Sequence, residues 1–227
     1  MQIRNLRHLG HLDIPGGGQV YVKDRVAYIG HMDPPTGTSI VDVSDPGSPK
    51  VLAQFEVPPT THCHKARVNE QHILVINHER CKAGGPGPFR PGIQLFDVSS
   101  PARPREIAFV ETGGAGVHRF DLDDRYAHIS TELEGYLGAI TVIYDLADPA
   151  RPREAGRWWL PGQWTAGGET PAWKGTAHRT HHPLRHGDRL YIGCWFGGYA
   201  IADIADLVSP AGESRRRGGK RCGRTGC

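Results

Sequence analysis

The stretch Ser39-Ile40-Val41-Asp42-Val43-Ser44-Asp45-Pro46 decides the fold, because close copies of it occur three more times in the chain. The copies begin at Gln94, Val142 and Ala200, and their equivalent aspartates are Asp42, Asp97, Asp145 and Asp203. The aspartates recur at intervals of 55, 48 and 58 residues, a spacing typical of one propeller blade with loop insertions. Each aspartate follows a short apolar run and can accept backbone N–H bonds in the next turn. We therefore interpret these aspartates as structural.

The composition is typical of a globular all-β chain. Of the 227 residues, 38% are hydrophobic, and 30 Gly and 18 Pro separate short apolar runs such as Ile73-Leu74-Val75-Ile76. No apolar run approaches membrane-spanning length, and the N-terminus lacks the apolar core of a signal peptide. The sequence therefore predicts a cytoplasmic protein with no membrane partner.

The repeat divides the chain into three parts. Residues 1–16 are a lead-in, and residues 17–208 are predicted to form three complete four-stranded blades and most of a fourth. Residues 209–227 are basic and have no strand pattern, so we expect a disordered or frameshifted tail. A propeller ring normally needs four to eight blades. We therefore expect an incomplete ring, whose open sheet edge favours self-association.

The repeat resembles the LVIVD family of β-propellers, named after the third-strand pattern seen here as Ser39-Ile40-Val41-Asp42. Three copies continue as Pro-x-x-Pro-Lys/Arg, at 46–50, 101–105 and 149–153. The resemblance covers about residues 17–208 and implies a propeller fold. It implies hardly anything about function, because propellers carry many unrelated activities.

Charge and cysteine content exclude several classes of function. The formal net charge of +3 originates in the tail, where residues 214–227 contain six Arg or Lys, so no folded basic face indicates nucleic-acid binding. The five cysteines form no CxxC pair, which is atypical of a zinc finger or a disulfide scaffold. Neither GxSxG, Walker, HExxH nor dinucleotide-binding motifs occur.

Three of the thirteen histidines occupy equivalent positions of the repeat. His64, His118 and His182 each open the innermost strand of a predicted blade, so we expect them to converge near one mouth of the central channel. Imidazole is the commonest metal ligand, and such a cluster suits Zn, Fe, Cu or Mn. The alternative is that these histidines are packed, hydrogen-bonded channel residues.

Further candidates surround these three. The possible additional ligands are His62, His178 and His181, which flank the first set, and His31 and His78, which end second strands. Glu132 is a weak candidate for a catalytic general base, with a solvated rim carboxylate as the alternative. Glu79 and Glu134 lie near the same rim.

Three functions stay open at the level of sequence. The first is a metal-binding propeller, acting as a hydrolase or an oxidoreductase on a small-molecule substrate. The second is a non-enzymatic scaffold that binds a protein partner, and the third is an inactive, truncated fragment. A close approach of the histidine ring nitrogens favours the first.

Overall fold

The computed structural model describes residues 4–81, 84–175 and 178–208, and nearly all of the regular structure in this range is β-strand. The basic segment 209–227, predicted to be a tail, lies outside the described residues. Within the described range, no helix is long and apolar enough to cross a membrane.

Four groups of antiparallel strands follow one another along the chain, and we call them blades 1 to 4. Blade 1 contains β1 (Gly17–Lys23), β2 (Val26–His31), β3 (Thr36–Asp42) and β4 (Lys50–Glu56), paired in that order. Blade 2 contains β5 (Thr61–His62), β6 (Ala66–Val68), β7 (Ile73–Arg80), β8 (Gly92–Asp97) and β9 (Arg105–Glu111), and both β5 and β6 pair with β7. The innermost strand of blade 2 is thus divided into two pieces.

The second half of the described chain continues the same arrangement. Blade 3 contains β10 (Gly113–Leu122), β11 (Tyr126–Glu132), β12 (Ile140–Asp145) and β13 (Arg153–Trp158). Blade 4 contains β14 (Arg179–His186), β15 (Arg189–Trp195) and β16 (Gly198–Asp203), followed by the short helix α1 (Ala205–Val208). Blades 2 and 3 are joined into one sheet, because β10 pairs with β7 at Gly116 and Glu79.

An aspartate ends the third strand of every blade, as the repeat predicts. The carboxylate accepts a hydrogen bond from the backbone N–H two residues later: Asp42 from Ser44 at 2.8 Å, Asp97 from Ser99 at 2.9 Å, Asp145 from Ala147 at 2.9 Å and Asp203 from Ala205 at 3.0 Å. Each bond closes the turn after the strand. The structural interpretation of these aspartates is confirmed.

The core lies between successive blades. Leu74 and Ile76 of β7 pack towards blade 1, whereas Ile73 and Val75 pack towards blade 3 around Phe120. Successive side chains of a strand point to opposite faces, so a strand packed on both faces needs a continuous apolar run. A third cluster, which includes Leu190 and Ile192, joins blades 3 and 4 in the same way.

Candidate metal centre

Glu79, near the end of β7, is the centre of the histidine cluster. Its Oε2 lies 2.9 Å from Nε2 of His62 and 3.5 Å from Nδ1 of His64. Both of its carboxylate oxygens lie 2.9 Å from Nδ1 of His118, which belongs to the next blade. The carboxylate therefore connects three imidazoles from two blades.

The strand register explains why these residues meet. In the β5–β7 pair, His62 lies directly opposite Glu79. On the other side of β7, Glu79 pairs with Gly116, and this contact carries His118 towards the carboxylate. Gly116 has a φ of +85°, and a Cβ there would lie 2.2 Å from the carbonyl oxygen of His78, so only glycine permits this approach.

His62, His64 and Glu79 could hold a metal ion. Their ligand atoms all lie within 4.8 Å of one another. Bonds of about 2.0–2.2 Å from a metal to nitrogen and oxygen place neighbouring ligands of a tetrahedral site about 3.4 Å apart. The two measured separations from Glu79 Oε2, 2.9 and 3.5 Å, are close to that value.

The electrostatics of the cluster favour a neutral imidazole beside a charged carboxylate. Burial lowers the pKa of His64 to about 3, although the charge of Glu79 acts in the opposite direction. For Glu79, burial disfavours the charged form, but hydrogen bonds with His118 and His62 outweigh it and lower the pKa to about 2. Metal ligands must be unprotonated, and these shifts keep Glu79 and His64 in that form at neutral pH.

His181 extends the cluster towards blade 4. Its ring centroid lies 4.8 Å from that of His118 and 5.2 Å from that of Trp195. Burial lowers the pKa of His181 to about 4, and the charges of His118 and Arg119 act in the same direction. His181 therefore lines the space beside the carboxylate as a neutral ring.

His182 lies in a neighbouring group of residues. Its Nε2 is 2.7 Å from Nζ of Lys65, and its ring centroid is 6.5 Å from that of His181. Burial lowers the pKa of Lys65 to about 7 and that of His182 to about 4. His64 and His118 thus meet as the sequence suggests, with ring centroids 5.3 Å apart, while His182 contacts Lys65. The assignment of all three as metal ligands stays a prediction.

The other candidate residues lie elsewhere. His31 is buried, with Nδ1 3.0 Å from the carbonyl oxygen of Pro15 and Nε2 2.8 Å from Oγ of Ser39. His78 bonds to Gln94 at 3.1 Å, His178 stacks on Trp173 with centroids 4.7 Å apart, and Glu132 accepts the N–H of Ala115 at 3.1 Å. Each of these side chains has a local structural partner.

Sequence reasoning named Glu79 only as a residue near the rim. The signal that could have found it is the β5–β7 hairpin register, which places it opposite His62. Lys65 and Arg119 each directly follow a histidine, and successive side chains of an ideal strand point to opposite faces, so the sequence pattern gives no sign that they lie near the histidines. A register shift in β10 between Val117 and Arg119 breaks that alternation.

Comparisons with solved structures support the architecture. The computationally designed Ika4 protein superposes with a TM-score of 0.54 at 9% sequence identity, over 90% of this chain and 100% of that one. The designed Ika8 protein gives a TM-score of 0.54 at 8% identity, over 82% of this chain and 45% of that one. The N-terminal domain of Nup159 reaches a TM-score of 0.46 at 10% identity, over 84% of this chain and 48% of that one. At such identities the likeness concerns the fold alone.

The chain is an all-β propeller. Its antiparallel sheets follow one another with the core between them, and the repeated aspartate ends the third strand of each blade. Residues 18–56 match the family model of the LVIVD repeat, so the chain carries an LVIVD repeat, as the resemblance implies. No curated protein compared with the sequence matches it significantly. The incomplete ring stays a prediction.

Proposed function

We propose that this protein binds a divalent transition metal through Nε2 of His62, the imidazole of His64 and Oε2 of Glu79. The observation that carries the proposal is the mutual approach of these three ligand atoms to within 4.8 Å. In this assignment His118 donates to the second oxygen of Glu79 and orients the carboxylate, as outer-shell residues do in metal sites.

Two histidines and one carboxylate leave coordination positions open. Such a ligand set is used by catalytic Zn²⁺ and, as a facial triad, by non-haem Fe²⁺. The His118 side chain is 34% exposed, so the space next to Glu79 is reachable from solvent. An open position would present a small molecule to the metal, for hydrolysis with Zn²⁺ or for oxidation and reduction with Fe, Cu or Mn.

Metal uptake by variants tests the proposal. Chelator-treated protein is titrated with Zn²⁺ and with Fe²⁺ under anaerobic conditions, and bound metal is counted by elemental analysis after desalting. We expect near-stoichiometric uptake by the wild type and a large loss in both His62→Ala and His64→Ala. The matched control is His182→Ala, which should retain the metal because its ring contacts Lys65.

The control variant His182→Ala also distinguishes between the two possible sets of metal ligands. Loss of metal in His182→Ala, with His62→Ala unaffected, would support the set His64, His118 and His182 and would overturn the present one. Absence of stoichiometric metal in the folded wild type would overturn metal binding altogether. Circular dichroism of each variant shows whether its fold is retained.

A second candidate function is self-association through blade 4. The outer strand β16 exposes Tyr199 at 75% and Ile201 at 53%, and Phe196 before it is exposed at 63%. Exposed apolar side chains beside a strand edge favour pairing with another chain. We expect the molar mass from light scattering to exceed that of a monomer and to fall in Ile201→Lys. A wild-type monomer at high concentration would exclude this candidate.

A further inference from the structure

We propose that Arg119 and Lys65, beside the proposed metal centre, form a subsite that would bind a carboxylate or phosphate group of the substrate. This inference rests on the proposed function for its chemistry, because it names the class of molecule that the metal would act on. Binding of the anion itself needs no metal and can be tested separately.

Arg119 is the first observation. It follows His118 on β10, and its Nε and Nη1 are buried without a hydrogen-bond partner among the described residues. A guanidinium stays charged in proteins and has five N–H donors. Buried donors are nearly always paired, so unpaired ones indicate an ion or water that completes the site.

Lys65 is the second observation. Its side chain lies on the inner edge of blade 2, the residue is only 3% exposed, and Nζ lies 5.3 Å above the ring centroid of Phe120. Among residues 4–81, 84–175 and 178–208, no carboxylate forms an ion pair with it, and its hydrogen-bonding partner is Nε2 of His182 at 2.7 Å. When Lys65 is protonated, its two other Nζ–H groups have no acceptor among the described residues, and a bound anion would favour this protonated form.

The nearby carboxylates are already engaged. Asp121 forms an ion pair with Arg67, and its second oxygen lies 3.4 Å from the backbone N–H of Arg185. Glu79 is surrounded by His62, His64 and His118. Neither carboxylate lies within ion-pair distance of Arg119 or Lys65 in the described part of the chain, so neither basic side chain has a direct counter-ion there.

A metal ion would increase this excess of positive charge. A divalent cation bound by one carboxylate and neutral imidazoles keeps one positive charge, and Arg119 stands next to the residue that orients the carboxylate. Burial is the largest cause of the lowered pKa of His64 and of Lys65, and the charge of Arg119 acts in the same direction on both, so Arg119 lies within electrostatic range of both groups. An anionic substrate that bridges the metal and Arg119 would offset this repulsion.

Binding of simple anions tests the subsite. Metal-free full-length protein is titrated with inorganic phosphate and, separately, with acetate at constant ionic strength, and binding is followed by NMR chemical shifts that include the arginine Nε–H signals. We expect saturable binding of one or both anions and at least tenfold weaker binding in Arg119→Gln. Arg157→Gln, which removes an arginine paired with Glu154 on β13, should bind as the wild type does.

Comparison of the phosphate titration with the acetate titration shows whether the subsite prefers a phosphate or a carboxylate group. Arg119→Lys keeps the charge and should retain part of the affinity, which keeps the test informative if Arg119→Gln fails to fold. Unsaturable shifts with both anions, or equal affinities for wild type and Arg119→Gln, would overturn the subsite. Retained anion binding in a protein that takes up no metal would overturn the metal function and leave the subsite intact.

Discussion

Both carboxylate oxygens of Glu79 lie 2.9 Å from Nδ1 of His118, and the two residues belong to different blades. Glu79 is held by β7 of blade 2, and His118 is held by β10 of blade 3, where Gly116 allows the two strands to pair. The site is therefore formed by the junction between two blades and not by one repeat. A change that separates the blades should also disrupt the site.

Replacing Glu79 by Gln tests the central role of this carboxylate. The substitution keeps the shape of the side chain but removes the charge that a metal needs, so metal affinity should fall by more than about 100-fold, beyond the 10–100-fold typical of outer-shell changes. Isothermal titration with Zn²⁺ measures this effect. Glu132→Gln is the matched control, since Glu132 accepts a backbone hydrogen bond from Ala115 and should be silent.

Replacing His118 by Ala should weaken metal binding without abolishing it. If His118 orients Glu79 from the outer shell, the loss of its hydrogen bond lowers metal affinity by about 10–100-fold. His118→Asn can still donate a hydrogen bond to the carboxylate and should recover part of that loss. Competition with a chromophoric chelator measures the constants. A complete loss in His118→Ala, equal to that in Glu79→Gln, would instead identify His118 as a ligand.

The repeat made most of the fold predictable from the sequence. Asp42 and its three equivalents end a strand by a local carboxylate-to-backbone bond, and such a bond depends only on residues close in sequence. Apolar alternation and short runs similarly report which strand faces are buried. The split of the innermost strand around His64 was not predictable, because it depends on how β5 and β6 separately pair with β7.

The site was predictable only in outline, because it depends on contacts between blades. Equivalent positions in the repeat indicated that His64 and His118 lie near one another, and their ring centroids are 5.3 Å apart. The equivalent position of His182 in the repeat could not show that its side chain would face Lys65. A register shift between Thr180 and His182 changes the direction of that side chain. The repeat does not single out Glu79, because its equivalent in blade 3, Glu132, accepts the N–H of Ala115 instead of contacting histidines.

His31 should make the stability of the protein sensitive to mild acid. Burial lowers its pKa, so the folded state holds the neutral ring, while the unfolded chain protonates near pH 6.5. The stabilisation is therefore complete above about pH 6.5 and is lost as the pH falls below it, by at most about 1.4 kcal/mol per pH unit. Urea unfolding at several pH values between about 7.5 and 5.5 measures the dependence.

A variant isolates the contribution of His31. His31→Gln loses the bonds to Ser39 and Pro15 and should be about 2 kcal/mol less stable at neutral pH, but its stability should fall less on acidification. The exposed His186 supplies the control His186→Gln, which should follow the wild-type curve. Identical pH dependence in wild type and His31→Gln would contradict the prediction.

Asp123 connects blade 3 to blade 4. Its Oδ1 accepts the backbone N–H groups of Arg125 at 2.8 Å and Tyr126 at 2.7 Å. Its Oδ2 accepts hydrogen bonds from Nε2 of the buried His128 at 2.9 Å and from Nη1 of Arg185 at 2.6 Å. Burial disfavours the charged carboxylate, but these four hydrogen bonds outweigh it and lower the pKa below its ordinary value.

Asp123→Asn should destabilise the protein by about 2–3 kcal/mol at pH 7, since its single oxygen cannot accept all four hydrogen bonds and its NH2 group would face two of the donors. The pKa of Asp123 is lower in the folded state than in the unfolded chain. The extra free energy of unfolding of the wild type is therefore present above the unfolded-state pKa of about 3.9, and it disappears as the pH falls through the folded-state pKa. Chemical unfolding at pH 7, 5 and 3 measures it. The neighbouring, exposed Asp124 gives the matched control Asp124→Asn, which should cost less than about 0.5 kcal/mol. Equal losses in the two variants would show that Asp123 does not join the blades.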